Sequence, residues 1–456
     1  MAGIYIHIPF CASFCRYCSF YSECCTDAAS LERYVDALLN EVRFASHFEG
    51  RKPHFGPYLP SSSHSEGRKQ HFDPYLPSSS GEASPEVRLQ VQSPHLWEQN
   101  TPKTRLQVQS PYLWEHPTLY IGGGTPSLLP PEQLERIVSA VTGICSQTGT
   151  PFEEFTLEAN PDDISPEKLA AWRRLGVNRL SIGVQSFCDA HLRWMCRRHT
   201  ASQAENAVRM AREAGFDNLS LDLIFGFAGL SDDDWLATID HALALHPEHL
   251  SCYQMSVEEG STLGDEAAAG AYAPPAQETC ARQYALLQQR AAAAGYLQYE
   301  ISNFALPGRE AQHNSAYWRR EPYWGFGPGA HSYDGYRTRC WNRPDLAAYL
   351  AKYSTQSFIF ETENTASNIG QGASEASILD FETLSDKDLA NEKVMLSLRT
   401  AVGLKLDDLS PEHLSAIRPK LDSMLADGRL VQTNNGLRIP ADRFFVSDAI
   451  IADLFL

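Results

Sequence analysis

Short apolar runs alternate with amphipathic stretches through the first 260 residues. Strand-length runs fall at residues 3–8, 118–122, 154–159, 178–184, 218–224 and 249–254. Between them, segments 131–145, 165–175, 200–215 and 231–246 repeat apolar residues every three or four positions, as helices do. This βαβα order predicts a parallel sheet with helices against it. Six units are two short of a closed (β/α)8 barrel. An open six-stranded partial barrel and a doubly wound sheet therefore compete on pattern alone.

Two tracts interrupt the alternation. "GRKPHFGPYLPSSS" from Gly50 recurs from Gly67 as "GRKQHFDPYLPSSS", and "RLQVQSPHLWE" from Arg88 recurs from Arg105, both with a 17-residue offset. Two unrelated duplications rich in Pro and Ser do not build a stacked solenoid. Residues 49–116 are expected to form a disordered surface insertion, and residues 354–380, rich in Ser, Thr, Asn, Gly and Glu, a linker. Between the tracts, a helix near 276–294 precedes the strand-like "YLQYEIS" and an aromatic, Gly-rich region from Tyr317 to Tyr336. Near the end, helical patterns at 386–399, 410–418 and 419–427 lead into "RLVQTNNGLRIP", whose Asn-Gly turn predicts a hairpin. The expected division is a barrel over 1–260, an extension over 261–353, the linker, and a winged-helix-like α+β module over 381–456.

Composition keeps the chain in the globular class, with 43% hydrophobic and 21% charged residues among 456. A formal net charge of -18 opposes a phosphate-binding groove, so no nucleic-acid partner is expected and the C-terminal module reads as a docking element. No apolar run is long enough to span a bilayer, and no basic, apolar leader precedes the first strand, so a cytoplasmic protein is expected. Eleven cysteines in so long a chain do not make a dense disulfide framework, and the clustering of five of them within residues 11–25 points to metal ligation in a reducing compartment. Cys24, Cys25, Cys145, Cys188, Cys196, Cys252, Cys280 and Cys340 read as buried or incidental thiols.

The chemistry concentrates in "CASFCRYC", where Cys11, Cys15 and Cys18 offer three thiolates from one loop directly after the first strand. Such a set suits an iron–sulfur cluster, or zinc with a histidine such as His7 as fourth ligand. Within "YIHIPFCASFCRYCSF", at the carboxyl end of a βα unit, the motif resembles the radical S-adenosylmethionine (radical SAM) superfamily. More narrowly it resembles the oxygen-independent coproporphyrinogen dehydrogenase group and its haem chaperone branch, HemW. "GVNRLSIGVQSF", "HNSAYW", "GFGPGAHSY" and "IIADLFL" extend the likeness along the chain. The resemblance implies a six-stranded partial (β/α)6 TIM-like barrel and a 4Fe-4S cluster on the three cysteines, one iron being left for S-adenosylmethionine. It also implies reductive cleavage of that cofactor to methionine and a 5'-deoxyadenosyl radical, with no side chain acting as a general base.

"YIGGGTPS" follows the second strand, and its glycines let backbone approach a ligand or simply make a tight turn. Glu158 in "LEANPDD", Gln185 in "IGVQSF" and Asp222 in "LSLDLIFG" are polar at strand ends, where barrels gather ligand groups. A helix cap or surface charge is the plainer reading of any one of them. The resemblance assigns Gly122, Gly123, Gly124 and Thr125 to the amino group of the cofactor's methionine, and Glu158 and Arg197 to the methionyl end. It gives Gln185 and Asp222 the ribose, Tyr5 the cluster-side wall and Tyr17 the adenine face. Arg198 adjoins Arg197 and competes for its place.

Two features separate the branches. Coproporphyrinogen dehydrogenases carry a further cysteine two residues after the third ligand, where this chain has Phe20, and an extension before the first strand, where it has two residues. Both point to the chaperone branch, which binds haem and delivers it to haem-requiring proteins such as respiratory enzymes. The alternative is oxidative decarboxylation of coproporphyrinogen III to protoporphyrinogen IX. The implied partners are haem or a porphyrin, a low-potential electron donor, and haem-accepting proteins at a membrane surface. His7, His313 and His331 are candidate haem ligands, each with a hydrogen-bonded structural role as the alternative, and Arg309, Arg319 and Arg320 are candidates for the propionates.

Overall fold

The computed structural model describes residues 3–24, 27–49, 117–145, 152–354, 378–434 and 436–456. The insertion expected at 49–116 and the linker expected at 354–380 lie outside these residues except at their edges, as does Cys25.

All six expected strands are present: β1 Gly3–Ile8, β2 Thr118–Gly123, β3 Glu154–Ala159, β4 Arg179–Gln185, β5 Leu219–Phe225 and β6 His249–Gln254. They pair in chain order, and every pairing is parallel. Helices α1 Ala28–Glu49, α2 Pro131–Cys145, α3 Pro166–Arg174, α4 Ala201–Glu213 and α5 Asp232–Ala244 connect them. Ser165 caps α3 by accepting from the Lys168 N–H, and Thr200 with Gln203 forms a capping box on α4, which explains where these helices start.

A parallel strand covered on both faces is usually apolar throughout. Here the faces differ. Ile4, Ile6, Ile8, Leu119, Ile121, Leu157, Ile182 and Leu221 join helix residues such as Tyr34, Ile137, Trp172 and Trp235 in one core. The alternate positions hold Thr118, Thr156, Arg179, Ser181, Ser220, Asp222 and His249, so the other face is a buried polar surface.

The sheet is larger than the six strands expected. Beyond β6 lie the short antiparallel β7 Leu297–Gln298 and β8 Asn303–Ala305. On the far side of β1, β9 Tyr323–Phe326 pairs in parallel, followed by antiparallel β10 His331–Tyr333, β11 Thr338–Asn342 and β12 Leu379–Thr383. The result is one twelve-stranded mixed sheet with the expected six at its centre. The added strands are two to five residues long, too short for an alternating pattern to register in sequence.

Between these additions, α6 Gln277–Ala293 falls where a helix was expected, and α7 Gln312–Trp318 carries the "HNSAYW" segment. Its buried His313 reaches Thr118 at the start of β2 and so closes the amino-terminal end of the polar face. Nearer the carboxyl end, α8 Asp386–Leu398 precedes α9 Pro411–Ala426. α9 is one helix where two were expected at 410–418 and 419–427. Pro419 lies inside it, and the buried stripe Ile417, Leu421 and Met424 runs past the proline, so packing outweighs the lost backbone bond. The expected hairpin pairs Val431–Thr433 with Gly436–Arg438. No helix among the described residues is long and apolar enough to cross a membrane.

Candidate functional site

The cysteine loop leaves β1 through Phe10, which is buried and edge-on to Tyr34 of α1. Arg16, between the second and third cysteines, fixes the loop to the rest of the fold. Its N–H donates to the Met195 carbonyl at 3.2 Å, and its carbonyl accepts from the Leu263 N–H at 2.8 Å. Its guanidinium pairs with Glu266 at 2.6 Å and lies over the Trp194 ring. Cys11, Cys15 and Cys18 are all half-buried, whereas Cys24 is exposed. Burial pushes the Cys18 thiol up to about 12 and raises Cys11 as well, so a bound cation must favour their thiolates. Among the described residues no three His, Cys, Asp or Glu side chains gather closely enough for a single ion. A cubane takes each thiolate on a different iron, which suits three sulfurs spaced along one loop.

The glycine loop after β2 lies against the cysteine loop. The Gly124 N–H donates to the Ile8 carbonyl at 2.8 Å, and a Cβ there would come within 2.7 Å of the Phe10 carbonyl oxygen. Close packing of two backbones thus requires this glycine, whatever ligand lies beyond. Next to it, the Thr125 hydroxyl donates to Cys11 Sγ at 3.4 Å. Glu158 accepts from Tyr120 Oη at 2.7 Å and from the Gly123 N–H at 3.2 Å. Burial pushes its carboxyl up to about 7 against these two donors.

Arg197 and Arg198 part company in space. Arg197 turns inward, with Nη1 donating to Cys15 Sγ at 3.3 Å and Nη2 to Asn160 Oδ1 at 2.6 Å and to the Gly183 carbonyl at 2.9 Å. Arg198 turns outward to Asp162 and Asp163 at 2.8 and 3.0 Å. Cys196, between β4 and this pair, adopts a left-handed φ of 59° that sets the turn. Tyr17 is packed against the core beside Arg197, and burial raises its phenol.

Farther along the polar face, β4 ends in an irregularity between Ile182 and Gln185, and Gln185 has φ 65° with its side chain buried. Asp222 accepts from Ser181 Oγ at 3.0 Å, and burial pushes its carboxyl up to about 6. Tyr5 Oη meets His7 Nδ1 at 3.1 Å. The thirteen residues expected at the site therefore all lie on the cysteine loop, on the polar face or in the loops at its carboxyl end. Sequence reasoning missed Asn160, which bridges Arg197 and Thr125 with its Nδ2 donating to Thr125 Oγ1 at 3.3 Å. It also missed Tyr120, Ser181 and the fully buried Arg179, whose Nε has no hydrogen-bond partner among the described residues. An arginine in the apolar run "RLSIGV" was the available signal for the last.

The candidate haem histidines differ sharply. His313 is engaged at both nitrogens, Nδ1 with Thr118 Oγ1 at 2.9 Å and Nε2 with Tyr317 Oη at 2.8 Å. His7 is likewise engaged, by Tyr5 and by the Tyr21 carbonyl at 3.0 Å. Both thus make the hydrogen bonds that a structural role would need. His331 instead stacks on Trp341, with ring centroids 5.0 Å apart. Of the expected propionate partners, Arg309 is exposed, Arg319 pairs with Glu321 at 2.6 Å, and Arg320 pairs with Glu392 at 2.9 Å near His331.

Comparison with known proteins follows the same lines. Residues 112–242 match the Radical SAM superfamily. The heme chaperone HemW of Mycobacterium tuberculosis is 30% identical over 455 residues, which cover 99% of this chain and 94% of that protein. The heme chaperone HemW of Bacillus subtilis is 34% identical over 310 residues, covering 68% of this chain and 76% of that one. Among solved structures, the coproporphyrinogen III oxidase HemN of Escherichia coli, a radical SAM enzyme, superposes with a TM-score of 0.67. That superposition covers 100% of this chain and 90% of the other at 18% identity, a likeness of fold.

Proposed function

Because this chain belongs to the radical SAM superfamily and, within it, to the family of the heme chaperone HemW, we propose that it binds haem and delivers it to haem-requiring proteins, respiratory ones among them. The observation that carries the reading is a chaperone relative 30% identical across nearly the whole of both chains. Phe20 supports it: the position where the dehydrogenases carry a further cysteine holds an exposed phenylalanine. The second reading, decarboxylation of coproporphyrinogen III, rests on a shared fold alone.

In this reading Cys11, Cys15 and Cys18 hold a 4Fe-4S cluster and the polar face holds S-adenosylmethionine. Together those groups, when bound, supply one-electron reductive cleavage. The chain's own part is placement. Glu158, ionised, receives the methionyl ammonium beside the Gly122–Gly123–Gly124–Thr125 loop, and Arg197 receives its carboxylate. Gln185 and Asp222 receive the ribose hydroxyls, Tyr17 covers the adenine, and Tyr5 walls the cluster side. Arg197 also donates to Cys15, so one guanidinium ties the cofactor site to the cluster loop. The parallel run β1–β6 serves as a partial (β/α)6 barrel. The segments 261–353 and 381–456 serve as an extension and a winged-helix-like docking module, in a cytoplasmic protein that meets an electron donor and membrane-associated acceptors.

Transfer is the property to test. Haem-loaded protein, reconstituted anaerobically, should pass haem to an apo-cytochrome on a gel-filtration or spectral assay. If haem stays with the chain under every redox and cofactor condition, delivery is not its function.

A further inference from the structure

The polar face of the sheet does not stop at β1. Tyr5 is in register with Gly325 of β9, Tyr323 with Tyr333 of β10, and His331 and Tyr333 with Trp341 and Arg339 of β11. Residues in register share a face, so Tyr323, Tyr333, His331, Arg339 and Trp341 continue the surface that carries Tyr5 and His7. β9 is parallel to β1, and His331 follows the turn at its carboxyl end, which brings it to the same end of the sheet as Cys11. A Cβ on Gly325 would lie 2.1 Å from the His331 carbonyl oxygen, so only glycine lets β10 close in and fix the position of this histidine. The segment after Cys18 runs alongside, with Tyr21 against Gly329 in the same turn.

Among the described residues four histidines lie at this face, His313 reaching it from α7, and three are committed. His7 and His313 are bonded at both nitrogens. His249 is bonded by Ser220 at 2.8 Å and by Tyr299 at 2.7 Å. His331 is the exception: among the described residues neither of its ring nitrogens has a hydrogen-bond partner, and neither is sealed from solvent. The ring is half-buried and held in plane by Trp341, at an interplanar angle of 14°. Burial and the Arg339 guanidinium lower its pKa to about 4, so the imidazole keeps a lone pair at neutral pH. Two residues along the strand from His331, the Arg339 and Arg320 guanidiniums stand over the Tyr333 ring at 5.4 and 5.5 Å. Both pair with the buried carboxylate of Glu392.

A fixed neutral imidazole with an open nitrogen suits a ferric or ferrous porphyrin iron. Two guanidiniums over Tyr333, two strand positions from His331, suit a propionate. We propose that His331 is the axial ligand of the carried haem, oriented by Trp341, with Arg339 and Arg320 receiving the propionates. The assignment rests on the haem-carrier reading above. It places the haem at the edge of the polar face beside the cluster loop, separate from the S-adenosylmethionine residues.

Haem titration of the full chain, followed by Soret absorption and electron paramagnetic resonance, tests it on wild type, His331→Ala, His331→Met, Arg339→Ala and His313→Ala. Wild type should show a histidine-ligated spectrum. His331→Ala should bind about tenfold or more weakly and lose that spectrum, and added imidazole should restore it. His331→Met should bind with a shifted spectrum, Arg339→Ala should weaken binding while keeping the ligand signature, and His313→Ala should leave the signature unchanged. An unaltered spectrum and affinity in His331→Ala would overturn the assignment, as would an unaltered spectrum in His331→Met if the alanine variant does not fold. A wild-type protein that binds no haem fails differently: it removes the carrier reading itself, and the ligand with it.

Discussion

Arg197 Nη1 lies 3.3 Å from Cys15 Sγ, while its neighbour Arg198 pairs with Asp162 and Asp163 on the outside. Two adjacent arginines are thereby given unequal work. Arg197→Met should lower S-adenosylmethionine affinity of the reconstituted protein about 10- to 100-fold, the usual range for a residue that supports a metal site. Arg198→Ala should leave it unchanged. Equilibrium binding to both variants checks this, and equal losses would mean that the inward arginine has no special part.

The cluster prediction is simpler. Cys11→Ala, Cys15→Ala and Cys18→Ala should each abolish 4Fe-4S assembly, measured as iron, sulfide and visible absorption, because each removes one of three thiolates. Cys24→Ala should assemble normally, since that thiol is exposed and donates only a long contact of 3.5 Å to the Ala12 carbonyl.

Glu158 gives a pH dependence with a definite sign. Its carboxyl is pushed up to about 7 in the folded protein, whereas an unfolded glutamate titrates near about 4.3. Between those values the native state holds a proton that the unfolded chain has lost. The contribution of Glu158 to stability is therefore present below the lower value and lost as pH rises through the upper one. Asp222, at about 6, slopes the same way. His7 and His313, lowered to about 4 and about 3, slope oppositely. The difference between wild-type and Glu158→Gln denaturation profiles isolates the glutamate and should fall from pH 4 to pH 7. S-adenosylmethionine affinity should rise over the upper part of that window, as Glu158 ionises to meet the ammonium, and Glu158→Gln should flatten it.

His313 should behave as a structural residue. His313→Ala leaves a cavity and strips partners from Thr118 Oγ1 and Tyr317 Oη, so it should cost about 2–4 kcal/mol in urea denaturation. A stable variant would show that α7 does not hold the end of the polar face shut.

The central sheet was legible because each strand is a short, largely apolar run between amphipathic helical stretches, and those runs survive in β1–β6 nearly to the residue. The site was legible where chemistry forces a residue type: three cysteines, three glycines, carboxylates in strands. Geometry decided the rest. Nothing in the order Arg197–Arg198 tells which side chain turns inward, since the left-handed Cys196 sets it. Asn160 matters through two contacts made across separate loops. β9–β12 were illegible because strands of three to five residues are too short for an alternating pattern to register, and Pro419 misled because local helix rules do not see the buried stripe around it.

A haem carrier and a porphyrin-making enzyme part company on two readouts. The most direct measurement places haem titration of the anaerobically reconstituted protein beside chromatography of porphyrin products after incubation with coproporphyrinogen III, reductant and S-adenosylmethionine, in wild type and in a variant lacking Cys11, Cys15 and Cys18. Stable haem binding in both proteins, with the coproporphyrinogen propionates left intact, is the result expected. Catalytic formation of protoporphyrinogen IX by the wild type, without stable haem binding, would contradict it.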